Sequence, residues 1–229
     1  MRFLIILFIT LGLSGSVFSQ SEEIAQNYFD QGEYEKAKSV YQQLYEKSNG
    51  NLNYLQGLVS SMQELEQYQE AEKYLLDFTH RNSAYPNLLV ELGHNYQLQE
   101  QTQKAKEYYQ QAIDKIDKIP NYAYTVGKAF QKYNLLEEAA LAYEKALEKQ
   151  SNPNFIIQLA RIYGEQRKLE EMFGTYLDLI KQKPEYFYAV NRNFSEYITE
   201  DAANEPNQVL RKLLLKRIQQ EPDLFYNQM

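Results

Sequence analysis

The chain has 229 residues, no cysteine, two histidines and a formal net charge of −7 at pH 7. Without cysteine it forms no disulfide and no thiolate metal site. The acidic total speaks against a nucleic-acid binder, which needs a basic face to displace phosphate counterions. Nine glycines and six prolines are few for a loop-rich sheet protein and suit long helices.

The first stretch, 1–19, reads as a secretory signal peptide and not as part of the fold. Met1-Arg2 gives a positive start, and Leu4 to Leu13 is a nearly unbroken apolar run. Ser14-Gly15-Ser16 breaks the run, and Val17 and Ser19 stand at the −3 and −1 places before Gln20. The run is short of the roughly 20 residues a membrane span needs, which favours cleavage after Ser19; an uncleaved anchor is the alternative. No cysteine follows it, so a lipid anchor is ruled out. The mature chain is expected to be exported to the periplasm or envelope of a bacterium, without a membrane span.

From residue 20 the chain reads as helical hairpins. The first helix carries Ile24, Ala25 and Tyr28 and ends at Gly32. The next carries Tyr34, Ala37, Tyr41 and Leu44 and stops near Asn49-Gly50, where glycine can take the left-handed conformation that ends a helix. The second hairpin has Leu55, Leu58, Val59 and Met62, then Ala71, Leu75 and Phe78. The third is the clearest. Leu89, Leu92, Gly93 and Tyr96 keep the i, i+3, i+4, i+7 spacing of one helix face, and after a polar break come Ala105, Tyr109 and Ala112. The fourth has Val126, Gly127 and Phe130, then Ala139, Tyr143 and Ala146. The fifth has Ile156, Leu159, Ala160 and Tyr163, then Met172, Tyr176 and Pro184. Beyond Pro184 the pattern weakens to a divergent sixth hairpin over 187–222. Its helix from Phe187 to Ile198 leads through a polar loop, Thr199–Pro206, to Val209, Leu210, Leu213, Leu214 and Ile218. The last stretch, 223–229, reads as the start of a further helix with Asp223 as N-cap. Either it tucks back onto the sixth hairpin or, the favoured expectation, the chain continues beyond it.

Three columns run through these hairpins at a fixed period. Ala37, Ala71, Ala105 and Ala139 are 34 residues apart. Tyr28, Met62, Tyr96 and Phe130 keep step with them, as do Tyr41, Leu75, Tyr109 and Tyr143; the fifth hairpin, one residue short, adds Tyr163 and Tyr176. Several columns held in phase are the signature of a repeat array. They form the expected repeat core.

With the turn and restart at Gly32-Glu33-Tyr34-Glu35-Lys36-Ala37, this pattern resembles the tetratricopeptide repeat (TPR). The resemblance implies an all-α, right-handed superhelical solenoid of antiparallel helix-turn-helix hairpins. Five would occupy 20–186, at about 18–51, 52–85, 86–119, 120–152 and 153–186. Small residues let paired helices approach, large ones fill the gaps, and neighbours bury what one hairpin cannot bury alone. In similar proteins the first helices line a concave groove that holds a partner segment. On that footing the groove residues are Asn87, His94, Gln97, Asn121, Tyr124, Lys128, Gln131, Asn154 and Arg161, with Asn53 and Gln63 in the same columns. The asparagines also suit helix N-caps.

One known mode of the family clamps a partner's terminal carboxylate with a lysine at repeat position 5 and an asparagine at position 9. Here position 5 holds Glu22, Gln56, Val90, Tyr124 and Ile157, and position 9 holds Gln26, Ser60, His94, Lys128 and Arg161, so that clamp is missing. Lys128 and Arg161 could still hold one acidic group. His94 reads as a polar groove residue and His80 as a helix C-terminal residue favoured by the dipole. The pairs Glu22-Glu23, Glu137-Glu138 and Glu170-Glu171 fall at helix starts, where the dipole favours negative charge. No phosphate loop, metal cluster or nucleophile motif is present in the sequence. The expectation is a non-enzymatic scaffold or adaptor with a protein or peptide partner, no cofactor and no metal. The alternatives are an input module of a longer membrane-associated sensor or envelope protein whose activity lies beyond residue 229, and a structural spacer.

Overall fold

Each of the first five hairpins turns on one residue held at positive φ. Gly32, Glu66, Glu100, Asn134 and Arg167 take φ of 76°, 59°, 60°, 56° and 60°. The same two backbone bonds close every one of these turns. In the first, Gly32 N–H donates to Phe29 O and Glu33 N–H to Tyr28 O, at 3.0 and 2.8 Å. In the third, Glu100 N–H donates to Gln97 O and Gln101 N–H to Tyr96 O, both at 2.9 Å. This pairing satisfies the carbonyls left over at a helix end. Only the first turn uses glycine, for which the left-handed region is free of steric cost. Replacing the exposed Glu100 with glycine should therefore raise stability by about 0.5–1 kcal/mol, read as a higher urea midpoint. A lower midpoint would mean that the Glu100 side chain stabilises the turn by more than its backbone strain costs.

The computed structural model describes residues 20–82 and 84–220. The leader reading of 1–19 and the helix start read at 223–229 lie outside the described residues. Among the described residues there are helices and turns and no strand. Helix α1 covers residues 20–30. It is followed by α2 (Tyr34–Lys47), α3 (Leu52–Glu64), α4 (Tyr68–Arg81), α5 (Asn87–Leu98) and α6 (Thr102–Lys118). Then come α7 (Ala123–Lys132), α8 (Leu136–Lys149), α9 (Pro153–Glu165), α10 (Leu169–Gln182), α11 (Phe187–Phe194) and α12 (Glu205–Gln220). Single 3-10 turns at Pro120–Tyr122 and Pro184–Tyr186 lead into α7 and α11. The chain forms two compact units that divide between Tyr109 and Gln110, within α6.

In the first unit α2 packs on α3, α3 on α4 and α4 on α5. Ala25, Ala37, Leu55, Leu58, Met62 and Ala71 are wholly withdrawn from solvent. Tyr41 lies flat over Gly57, where an added Cβ would stand 2.5 Å from its ring. Tyr109 covers Gly93 in the same way. Ile24, expected to face inward with Ala25, is 42% exposed, because one residue along a helix turns the side chain by 100°.

In the second unit α7 packs on α8, α8 on α9 and α9 on α10. Phe130, Ala139, Tyr143, Phe155 and Phe173 are fully buried. Of the expected core columns, Tyr28 and Tyr163 alone are only half-buried. Lys36 stands over the Tyr28 ring, and the Tyr163 hydroxyl donates to Glu144 at 2.6 Å.

The sixth hairpin differs from its sequence reading. Helix α11 stops at Phe194, where Tyr197 N–H and Ile198 N–H turn back onto Phe194 O, rather than running to Ile198. The Asn207 side chain accepts from Thr199 N–H and donates to Thr199 O and Asp201 O, which fixes the loop. Helix α12 then docks on α10 through Arg217, which donates to Asp178 Oδ1 at 2.6 Å and to Gly174 O at 3.1 Å. Val209, Leu210, Leu213 and Leu214 pack against the cluster around Phe173, Tyr176 and Phe194.

Candidate partner-binding surface

A partner segment needs side chains that are exposed and held in place on the first helices of the hairpins. Asparagines at the helix starts suit either a cap or a groove. Asn51 caps α3 by accepting from Asn53 N–H at 2.8 Å, and Asn152 caps α9 by accepting from Asn154 N–H at 3.0 Å. The caps therefore lie two residues before the column, and the side chains of Asn53 and Asn154 stay exposed. Asn121 sits in the 3-10 turn and its Oδ1 accepts from Gln150 at 3.1 Å. Asn87 opens α5 but is only 8% exposed, so no partner reaches it without repacking.

In the first unit His94 is half-buried on α5. Gln97 is exposed, and its Oε1 accepts the Tyr109 hydroxyl at 2.7 Å. Gln63, expected at the far end of the groove, is 8% exposed and donates to Asn95 Oδ1 at 3.4 Å. Asn95 in turn donates to Tyr68 O at 2.9 Å. This pair ties α3 and α4 to α5, which removes Gln63 from any groove. A further hollow of about 300 Å³ lies between α1 and α3 over the Tyr41 ring. It draws on Glu22, Gln56 and Ser60, none of which the sequence placed in a groove.

In the second unit Lys128 and Arg161 are both exposed, on α7 and α9. Lys128 makes no ion pair with the described residues. Arg161 is held: its Nε donates to Asn193 Oδ1 at 2.9 Å, and Asn193 donates to Ala189 O at 2.7 Å. Asn193 is 6% exposed and was not singled out by the sequence. It is one more polar residue on a short helix until packing places it under Arg161. Burial pushes the Tyr176 phenol up to about 12, against the opposing pull of the nearby Arg161 guanidinium. Gln131 donates to Glu165 at 3.2 Å. Tyr124 is half-buried, with its ring 4.8 Å from Phe155 and 6.2 Å from Tyr143. Among the expected groove residues of this unit, Lys128, Arg161 and Asn154 are thus exposed, as is Asn121. Glu137-Glu138 and Glu170-Glu171 occupy the first turns of α8 and α10, where the dipole accounts for them. Among the described residues no group of three or more histidine, aspartate or glutamate side chains could hold a metal ion.

Residues 22–46 and 86–114 match the tetratricopeptide repeat model. The two matched segments span α1 with α2 and α5 with most of α6, and the turn geometry at Gly32 and Glu100 repeats in the hairpins between and beyond them. No curated protein sequence matches the chain. Among solved structures it is similar to a thermophilic TPR protein of Thermus thermophilus, at 16% identity over 78% of this chain and 97% of that one, TM-score 0.41. It is similar to YrrB, a TPR protein with an unusual peptide-binding site, at 17% identity over 76% and 90%, TM-score 0.36. It is also similar to the TPR2AB domain of yeast Sti1 in its pHSP90 complex, at 14% identity over 87% and 99%, TM-score 0.40. Among the described residues no helix is long and apolar enough to cross a membrane.

Proposed function

We propose that the chain is a non-enzymatic, exported scaffold that holds an extended protein or peptide segment against the first helices of its hairpins. The observation that carries this reading is the placement of Lys128, Arg161 and Asn154. All three are exposed on α7 and α9, whose Val126, Phe130, Phe155 and Ala160 are buried, and Arg161 is fixed in direction by a buried asparagine. A side chain already held loses less freedom on binding, which favours recognition over non-specific attraction. Side-chain amides such as Gln97 and Asn154 pair with the backbone of an extended partner, and the two cations pair with one of its acidic groups.

The test is charge reversal at Lys128 together with Arg161→Gln, with circular dichroism as the control for folding. The full chain should lose its co-purifying partner, with affinity falling between about two- and thirtyfold for two rim ion pairs of roughly 0.2–1 kcal/mol each. Retention of every partner at unchanged affinity would favour a spacer with nothing in its groove.

A further inference from the structure

The hollow in the first unit has a chemistry of its own. Its floor is aromatic: Tyr41 is buried, and Phe29 is half-buried beside it. Gly57 keeps that floor open, since a Cβ there would meet the Tyr41 ring. Gln26 forms a fixed wall, for its amide donates to Asp30 Oδ1 at 2.8 Å while its Oε1 accepts the Tyr41 hydroxyl at 2.9 Å. Gln56 and Ser60 face it from α3 with no hydrogen-bond partner of their own side chains among the described residues.

The charge is one-sided. Glu22 lines the hollow and no lysine or arginine does. Glu22 makes no ion pair among the described residues. The α2 lysines Lys36 and Lys38 are engaged with Glu33 and Glu35. The helix dipole explains why a carboxylate stands early in α1, but not why it opens onto a cavity with an aromatic floor. Its field is felt there: after burial, Glu22 is the next cause holding the Tyr41 and Tyr54 phenols above their ordinary range. An anion in this place would face Glu22 without a counter-charge. A long cationic side chain meets a carboxylate for its head, aromatic faces for its stem or guanidinium plane, and amide and hydroxyl oxygens for its remaining protons.

We infer that the hollow between α1 and α3 takes a lysine or arginine side chain of the bound segment, with Glu22 as its counter-ion. The inference rests on the scaffold reading and adds a charge requirement to it. The first unit selects a cation, whereas Lys128 and Arg161 of the second unit select an acidic group.

A random peptide library selected on the immobilised full chain, wild type and Glu22→Lys in parallel, tests this. Glu22 is on the surface of α1, and a thermal melt checks that the variant folds. The wild type should enrich peptides with arginine or lysine at one fixed position. Glu22→Lys should lose that preference, and individual selected peptides should bind it more weakly by up to about fivefold per cation, as should their citrulline-substituted forms with the wild type. Peptides enriched without a fixed cation, or with one that Glu22→Lys leaves untouched, would overturn the inference and leave the scaffold reading standing. No enrichment on either protein would overturn both.

Discussion

Tyr143→Ala should lower the stability of the chain by about 3–5 kcal/mol, the cost of deleting a fully buried aromatic ring. Tyr143→Phe should be neutral or slightly stabilising. Tyr143 is wholly withdrawn from solvent, its ring lies over Gly127, and its centroid stands 6.2 Å from that of Tyr124 in an edge contact and 6.1 Å from that of the tilted Phe155 ring. Alanine leaves a cavity there that helices α7, α8 and α9 cannot close without moving together. The hydroxyl is a different matter. It is buried with no hydrogen-bond partner among the described residues, so its removal relieves a desolvated polar group. Tyr109 provides the contrast, since its hydroxyl donates to Gln97 at 2.7 Å. Tyr109→Phe should cost about 0.5–1.5 kcal/mol. Urea unfolding of the three variants reads the order directly. A Tyr143→Phe loss as large as that of Tyr109→Phe would show that an ordered water or another donor satisfies the Tyr143 hydroxyl.

Alkaline pH should destabilise this chain before it affects an ordinary helical protein. Burial pushes the Tyr143 and Tyr176 phenols up to about 12. Tyr96 and Tyr163 are raised further, by burial first and then by hydrogen bonds to Glu72 and Glu144. In the unfolded chain a phenol ionises near 10. Between about pH 10 and 12 the unfolded chain has therefore lost protons that the folded chain keeps, and stability falls as pH rises. It is fully present below pH 10. Each buried phenol contributes up to about 1.4 kcal/mol per pH unit in that window, so moving from pH 8 to pH 11 should remove on the order of 2–4 kcal/mol. Urea midpoints at the two pH values measure the loss, and the double variant Tyr143→Phe with Tyr176→Phe should retain part of it. Equal midpoints at pH 8 and pH 11 would show that these phenols titrate as freely in the fold as out of it.

The candidate surface was legible only in outline. Sequence columns placed Lys128, Arg161 and Asn154 on the first helices, and the fold keeps them exposed. The same reasoning placed Asn87 and Gln63 beside them, and both are buried. A column fixes which turn of a helix a residue occupies, but the neighbouring helix decides whether that turn is covered. Asn95 and Asn193 show the converse. Nothing in their residue type distinguishes them from a solvated asparagine, yet one ties α3 and α4 to α5 and the other aims Arg161. The hollow at Glu22 went unread for a related reason. Its parts come from three helices, and the glycine that opens it, Gly57, lies outside the columns.

The sequence by itself determined the helical hairpins, their 34-residue period and the alanine and tyrosine columns of the core. It could do so because close approach and gap filling need fixed residue sizes at fixed spacing, which is a local, periodic demand. Of the hinges, the glycine at Gly32 was legible, but those at Glu66, Glu100, Asn134 and Arg167 were beyond it, since glutamate, asparagine and arginine take the same left-handed turn when two backbone bonds close it. The tertiary structure alone decided where α11 stops, how Arg217 docks α12 on α10, and which polar side chains remain open to a partner. Those outcomes depend on hydrogen-bond partners and packed surfaces brought together from distant parts of the chain, and no residue carries that information in its type or spacing.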